Sequence, residues 1–239
     1  MHHGRQPNQP LSLEDQYRHL AQLSQQRSLH QHATGLTETV DAGSPSPRLT
    51  PKQQPLHFAL GQRLLHAGEA DDAVVVFQRL CQSNSFNADY WYYLGVAYEK
   101  CHHHQASKQA YERALKVTPS HVEAGFALGV LLEEADELET AMLRYHIVLK
   151  SCPNHAPAQN NLASCALQLG QYSLAERYFK AVLETFPELA KAMLGLALAN
   201  DGLGKERQAL WWYRNYLHRK PASQHGAFVQ ERIEELQAI

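Results

Sequence analysis

Hydrophobic residues recur at helical spacing from residue 54 onward, and the same residue types return every 34 positions without a gap. Spacings of three and four residues are typical of amphipathic helices, whereas half-buried strands alternate at every second residue. When the chain is aligned on itself at this 34-residue step, equivalent positions form columns. One column is leucine, the next is a small residue and a later one is aromatic, and a proline closes most repeats. The members are Leu60, Leu94, Leu128, Leu162 and Leu196; Gly61, Gly95, Gly129, Ala163 and Ala197; Phe77, Tyr111, Tyr145, Phe179 and Tyr213; and Pro119, Pro153, Pro187 and Pro221. The pattern predicts an all-α chain of repeated helix pairs.

Each recurring column has a physical role in such a pair. A small residue lets two helices approach closely, and we expect the aromatic side chain to fill the space between repeats. The chain leaves the first helix of each repeat at a position that favours a left-handed residue. Glycine meets this need at Gly68, Gly170 and Gly204, while Asp136 tolerates it and His102 is a weaker fit.

The second repeat carries the most complete motif. Trp91, Leu94, Gly95 and Tyr98 have the spacing W-x2-L-G-x2-Y, and the aromatic and proline columns complete it. This pattern resembles the tetratricopeptide repeat family. The resemblance implies a right-handed superhelical array of five helix-turn-helix repeats, whose first helices line a concave groove. The repeats are residues 54–87, 88–121, 122–155, 156–189 and 190–223.

The residues after the repeats predict a capping helix over 224–239. Val229, Ile233 and Leu236 lie at helical spacing, so one face covers the fifth repeat and the other meets solvent.

The residues before the repeats predict a mobile arm over 1–53. They are rich in Gln, His, Ser, Thr and Pro, and we expect a flexible linker over about 33–53. An amphipathic helix is expected over about 12–32, with a narrow apolar stripe that needs a partner to be stable. Two alternatives are open, since this helix could dock in the groove of its own repeats or dimerise with a second copy.

Composition and charge exclude several classes of protein. A hydrophobic content of 44% and a net charge of -2 indicate a globular chain without the basic field that nucleic-acid binding requires. No apolar run approaches the roughly 20 residues of a membrane helix, and the N-terminus lacks the apolar stretch of a secretory signal. We therefore expect a cytosolic protein that neither binds nucleic acid nor inserts into a membrane.

No arrangement of residues indicates catalysis. The sequence has no Gly-rich phosphate loop, no G-x-S-x-G elbow and no H-E-x-x-H helix, so we expect a non-catalytic protein without a cofactor. Cys101 and the three histidines that follow it could bind metal, but four adjacent residues cannot all reach one tetrahedral ion. A solvated turn is therefore expected there, with a metal-responsive regulator as the alternative. The other cysteines are expected to be small buried side chains: Cys81, Cys152 and Cys165.

The groove-facing positions of the first helices define a candidate binding surface. Positions 5 and 9 of the five repeats give ten residues, here called the groove residues: Phe58, Gln62, Tyr92, Val96, Phe126, Val130, Asn160, Ser164, Leu194 and Leu198. They form a mostly apolar strip beside acidic residues, which suits a segment with apolar anchors and some basic residues. Repeat one carries Phe58 and Gln62 where carboxylate-clamp proteins carry Lys and Asn, so that type of clamp is disfavoured. Packing between repeats is the alternative for each aromatic.

Short segments of the first two repeats resemble type III secretion chaperones that hold hydrophobic translocators. They are Phe77-x2-Leu80-Cys81 and Asn87-x-Asp89-Tyr90-Trp91-x2-Leu94-Gly95, and the ending 236–239 is also similar. The resemblance implies that Phe58, Tyr92 and Phe126 bind an extended translocator segment in the cytosol before export. This chain has more repeats than that family usually carries, which leaves open a general scaffold for a multiprotein complex. Trp211 and Trp212 lie outside the core column, so they either pack beneath the cap or form a second contact surface.

Overall fold

The computed structural model describes residues 48–220 and 224–238, and these residues contain eleven α-helices and no strand. The helices are α1 (Gln54–Ala67), α2 (Ala70–Ser83), α3 (Ala88–Lys100), α4 (His104–Val117), α5 (Val122–Glu134), α6 (Leu138–Ser151), α7 (Ala156–Gln168), α8 (Tyr172–Thr185), α9 (Ala190–Gly202), α10 (Glu206–Arg219) and α11 (Gly226–Ala238). The first helices of the five pairs begin at residues 54, 88, 122, 156 and 190, which is the 34-residue step of the sequence pattern. The predicted all-α class is confirmed.

The first of two compact units ends at Pro119 and contains α1 to α4. Its core is centred on α2, where Val76, Phe77 and Leu80 are fully buried. Leu60 of α1 and Leu94 of α3 belong to the same cluster. The leucine and aromatic columns of the sequence therefore form this core.

Leu49 shows that the packed chain begins before the first helix. Its side chain is 5% exposed and belongs to the same core, and its N–H donates to Ser83 Oγ at 2.8 Å. The Thr50 hydroxyl donates to Gln53 Oε1 at 2.9 Å. Leu49 therefore packs on the first repeat although it lies inside the stretch predicted as a linker, while the other residues of 48–53 are exposed. A single leucine among prolines carries no periodic signal, so the sequence could not place it. The helix predicted over 12–32 lies outside the described residues.

The second unit begins at Ser120 and contains α5 to α11. In its core cluster Phe179, Leu196 and Tyr213 are at most 1% exposed. The last helix contributes three buried residues to this cluster: Val229, Ile233 and Leu236. The helix thus covers the end of the fifth repeat with its apolar face.

The aromatic column packs directly on the glycine column of the same repeat in the first three repeats. A Cβ atom added to the glycine would lie 2.6 Å from the ring at Gly61, 2.4 Å at Gly95 and 2.5 Å at Gly129. Phe77 also stacks on Tyr93 of the next repeat, with ring centroids 5.5 Å apart. The aromatic ring therefore fills space within its own repeat as well as the predicted space between repeats.

The turn inside each repeat is left-handed at all five predicted positions. The φ angle is +60° at His102, +61° at Asp136, and +81°, +68° and +67° at Gly68, Gly170 and Gly204. This prediction is confirmed. The left-handed residue ends each first helix so that the second helix can fold back on the first.

Histidine caps the N-termini of two first helices. His121 Nδ1 accepts from the N–H of Ala124 at 3.2 Å, and His155 Nδ1 accepts from the N–H of Ala158 at 3.1 Å. These contacts satisfy backbone donors that a helix leaves unpaired in its first turn. Two histidines thus have a structural role that sequence inspection did not assign. Within the described residues, no helix combines the length and the apolar character needed to cross a bilayer.

Candidate functional site

Four groove residues belong to the first unit, and all four are half-buried: Phe58, Gln62, Tyr92 and Val96. The ring of Phe58 lies 5.1 Å from that of Tyr93 and 5.4 Å from that of Tyr90, measured between centroids. Tyr92 contacts the same Tyr93 at 5.1 Å and Tyr111 at 5.9 Å. Both groove aromatics thus touch interior rings while part of their surface meets solvent. Packing and binding are therefore not exclusive alternatives for these two side chains.

Six groove residues belong to the second unit, and five of them are half-buried: Phe126, Val130, Ser164, Leu194 and Leu198. The ring of Phe126 lies 4.9 Å from the capping His155 and 5.9 Å from Tyr145. The sixth, Asn160, is only 8% exposed. Its Oδ1 atom is buried and has no hydrogen-bond partner among the described residues. Asn160 therefore belongs to the interior and does not line the surface as predicted.

A cleft of about 450 Å³ opens within the second unit. Its lining combines apolar groups with one ion pair, and consists of Leu167, Tyr172, Leu198, Asp201, Gly202 and Arg232. Arg232 of α11 donates to Asp201 through Nε and Nη2, each at 2.7 Å, so the charged wall of the cleft is a two-point ion pair. This hydrogen bonding lowers the pKa of the Asp201 carboxyl. The cleft is large enough for one bulky apolar side chain of a partner.

Three buried tyrosines donate hydrogen bonds to carboxylates at position 12 of their own repeats. The distances are 2.8 Å for Tyr111 to Glu99, 2.8 Å for Tyr145 to Glu133 and 3.0 Å for Tyr213 to Asp201. Burial is the largest cause of the raised pKa of each phenol, and the neighbouring carboxylate raises it further. Each tyrosine therefore remains a neutral donor that orients the carboxylate.

Sequence inspection missed these pairs, although the signal was present. Where the aromatic column holds phenylalanine, at Phe77 and Phe179, position 12 holds Leu65 and Leu167. Where it holds tyrosine, position 12 is always acidic. The two columns therefore vary together across the five repeats, because a buried phenol needs an acceptor and a phenyl ring does not.

The cysteines and the histidine run show no sign of reactive chemistry. Cys81 and Cys165 are buried, which raises the pKa of each thiol to about 12. His102, His103 and His104 are exposed, and the described residues contain no group of three or more His, Cys, Asp or Glu side chains able to hold a metal ion. Cys152 is half-buried rather than buried as predicted, because it follows the end of α6.

The two tryptophans of α10 differ in exposure. Trp212 packs against the core cluster of the second unit, whereas Trp211 is 57% exposed and meets Trp212 edge-on at 4.4 Å between centroids. Phe228 of the last helix is 50% exposed. The second unit thus presents large apolar side chains outside the groove residues.

The helix pairs agree with comparisons to known protein families. One model of the tetratricopeptide repeat matches residues 88–121, and a second matches residues 58–100, 141–189 and 160–224, which together exceed half of the chain. None of the curated protein sequences matches the chain.

Several solved structures share the fold. MamA from Desulfovibrio magneticus RS-1 is 17% identical, with a TM-score of 0.67 and a match covering 74% of this chain and 99% of that one. YrrB, described as a TPR protein with an unusual peptide-binding site, is 18% identical, with a TM-score of 0.66 and coverage of 73% and 90%. PilF of Pseudomonas aeruginosa is 17% identical, with a TM-score of 0.67 and coverage of 78% and 85%. Repeated helix pairs, left-handed turns and the family match lead to one conclusion: the chain belongs to the tetratricopeptide repeat family, whose fold is generally a non-catalytic scaffold for protein interactions.

Proposed function

We propose that this protein binds a peptide segment of another protein along the first helices of its repeats. The observation that carries the proposal is the exposure of the groove residues. Nine of the ten are half-buried, so the apolar ones hold part of their side-chain surface in solvent, and contacts with neighbouring rings keep the three aromatics Phe58, Tyr92 and Phe126 in place. Prepositioned apolar side chains bind a partner at a low cost in conformational entropy. The description of YrrB as a peptide-binding relative in fold supports the same function.

The partner class that fits best is an exported hydrophobic protein, for which this protein acts as a cytosolic chaperone. The two longer segments similar to type III translocator chaperones, 77–81 and 87–95, lie in the first unit. Tyr92 lies within the second of them, and the ring of Phe77 in the first lies 6.1 Å from that of Phe58. A translocator exposes apolar membrane segments before export, and such segments aggregate unless they are covered. Phe58, Tyr92 and Phe126 are the proposed anchors for one of these segments.

The test is purification of the tagged full chain from its native host, with mass spectrometry of the retained proteins. Wild type is compared with the triple variant Phe58→Ala, Tyr92→Ala, Phe126→Ala, and with Phe86→Ala as a matched control. Phe86 is 86% exposed in the loop after α2, so its loss removes an aromatic ring without touching the groove residues. Each anchor is expected to contribute about 1–3 kcal/mol of binding free energy.

A chaperone is supported if one dominant partner with membrane segments is retained by wild type and by the control, and lost by the triple variant. Circular dichroism must show that the triple variant is folded, because the three aromatic rings that it lacks also contact the interior in the wild-type protein. If the dominant partner is retained by all three proteins, the groove residues are not the binding surface.

A general scaffold is the second candidate, favoured by the exposed Trp211 and Phe228. A scaffold holds folded partners on two surfaces, whereas a chaperone covers an unfolded segment. Replacing Trp211 with Ala should release one partner from a scaffold and leave a chaperone's client bound. The residues before position 48 add a further proposal, which is dimerisation through the N-terminal arm. Sedimentation of a chain lacking residues 1–47 tests it, because loss of a dimer is the expected result.

A further inference from the structure

The strongest unassigned feature is a repeated combination of an aromatic, a valine and a tyrosine-bound carboxylate. In the first unit, Tyr92, Val96 and Glu99 lie on α3 at positions i, i+4 and i+7, which places them along one face of the helix. Tyr111 holds the carboxylate through its hydroxyl at 2.8 Å. The ring of Tyr92 lies 5.9 Å from the ring of this same Tyr111.

The second unit repeats the arrangement on α5 with Phe126, Val130 and Glu133. Tyr145 donates to Glu133 Oε2 at 2.8 Å, and its ring lies 5.9 Å from Phe126. Gln168 approaches the other oxygen, Oε1, at 3.4 Å, which is a long hydrogen bond. Each unit thus offers an apolar strip that ends at an oriented carboxylate with capacity for a further donor.

The chain itself shows which donor such a carboxylate accepts. Asp201 is the third member of the series, and its Oδ2 accepts from Tyr213 at 3.0 Å. The same Oδ2 accepts from Arg232 Nε at 2.7 Å, while Oδ1 accepts from Arg232 Nη2 at 2.7 Å. A tyrosine hydroxyl on one oxygen is therefore compatible with a two-point bond to a guanidinium group, the strongest pairing for a carboxylate.

We propose that Glu99 and Glu133 are receptors for arginine side chains of the bound segment. The inference rests on the proposed peptide-binding function and names the chemistry of its ligand. Arginine is favoured over lysine because its planar fork engages both carboxylate oxygens, as Arg232 does on Asp201. Its methylene stem would lie over the valine, and an apolar neighbour in the ligand would contact the groove aromatic.

The test is selection from a phage library of random 12-residue peptides on three full-length proteins. These are wild type, the variant Glu99→Gln, Glu133→Gln, and the control Glu139→Gln, Glu184→Gln, which removes the same charge from exposed positions on second helices. Wild type and the control should select peptides in which arginine accompanies large apolar residues. The first variant should still select apolar peptides but should lose the arginine enrichment.

The best wild-type peptide is then synthesised with arginine and with citrulline, an uncharged side chain of the same shape. Fluorescence anisotropy should show a loss of about tenfold or more on wild type and less than twofold on the Glu99→Gln, Glu133→Gln variant. An equal loss on both proteins overturns the inference, as does selection of peptides without arginine. The Phe58→Ala, Tyr92→Ala, Phe126→Ala variant goes through the same selection as a fourth protein. If wild type selects no peptide beyond those that this variant retains, the proposed function fails and the inference fails with it.

Discussion

The variant Gly95→Ala adds one methyl group where the first helix of the second repeat packs on the Tyr111 ring of the second helix. The new Cβ would lie 2.4 Å from Cε1 and 2.6 Å from Cδ1 of Tyr111, both well inside the 3.0 Å limit for real Cβ contacts. Tyr111 is fully buried and its hydroxyl is bonded to Glu99, so its ring cannot move aside without losing that bond. Overpacking of a core costs about 1–3 kcal/mol, while the helix propensity of alanine returns up to about 1 kcal/mol. We expect a net loss of about 1–2 kcal/mol, which lowers Tm by roughly 2–8 °C in a chain of this size.

Urea unfolding followed by far-ultraviolet circular dichroism measures this loss. As a control, the same Gly95→Ala substitution is made in a Tyr111→Leu protein, where the side chain facing position 95 is shorter. In that background the added methyl group should cost nothing or should restore stability, because it enters the space that the ring vacated. A Gly95→Ala protein as stable as wild type would refute the reasoning, and so would an equal loss in both backgrounds.

Three further predictions concern charge, backbone and thiol chemistry. Glu176 is 8% exposed and accepts from Lys180 and Lys205 at 2.7 Å, and these hydrogen bonds lower its pKa, so its ionised form stabilises the folded state. Urea titrations should therefore find Glu176→Gln less stable by about 1–3 kcal/mol at pH 7, with the difference shrinking as pH falls below about 4.5; a pH-independent difference would contradict this. His102→Gly should raise the free energy of unfolding by about 1 kcal/mol, because glycine adopts φ +60° without strain, and a lower Tm would argue against strain at this turn. In a variant whose half-buried Cys101 and Cys152 are replaced by Ala, the buried thiols of Cys81 and Cys165, each with a pKa raised to about 12, should react with Ellman's reagent only in denaturant, and rapid reaction of that native variant would exclude their burial.

The helices and their turns were predictable because their causes repeat. Every helix pair must bury the same face, so a leucine and a small residue occupy the positions of Leu94 and Gly95 in all five repeats. A pattern that occurs five times is distinguishable from a chance match. The turn at Asp136 was predictable for a related reason, because a left-handed backbone restricts residue type even where glycine is missing.

Features that occur once were beyond the reach of this reasoning. Leu49 packs on the first unit from a proline-rich segment, and Asn160 turns out to be buried although its register position suggests a surface residue. Tyr93 joins the two groove aromatics of the first unit, but no other repeat has an aromatic at its position. Such contacts depend on the shapes of particular neighbours, which a periodic pattern does not encode.

The last helix covers an apolar flank of the fifth repeat. An exposed apolar flank on the fifth repeat could bind the first repeat of another copy. Head-to-tail contacts of this kind form open filaments when they do not close into a ring. Helix α11 covers that flank with Val229, Ile233 and Leu236 and fastens itself through Arg232 to Asp201. Its outward positions carry Gln230, Glu231, Glu234 and Glu235, which are exposed and mostly negative. The helix therefore replaces an apolar flank with a mostly negative face, which disfavours such head-to-tail contacts, and its ion pair with Asp201 helps to hold it in place.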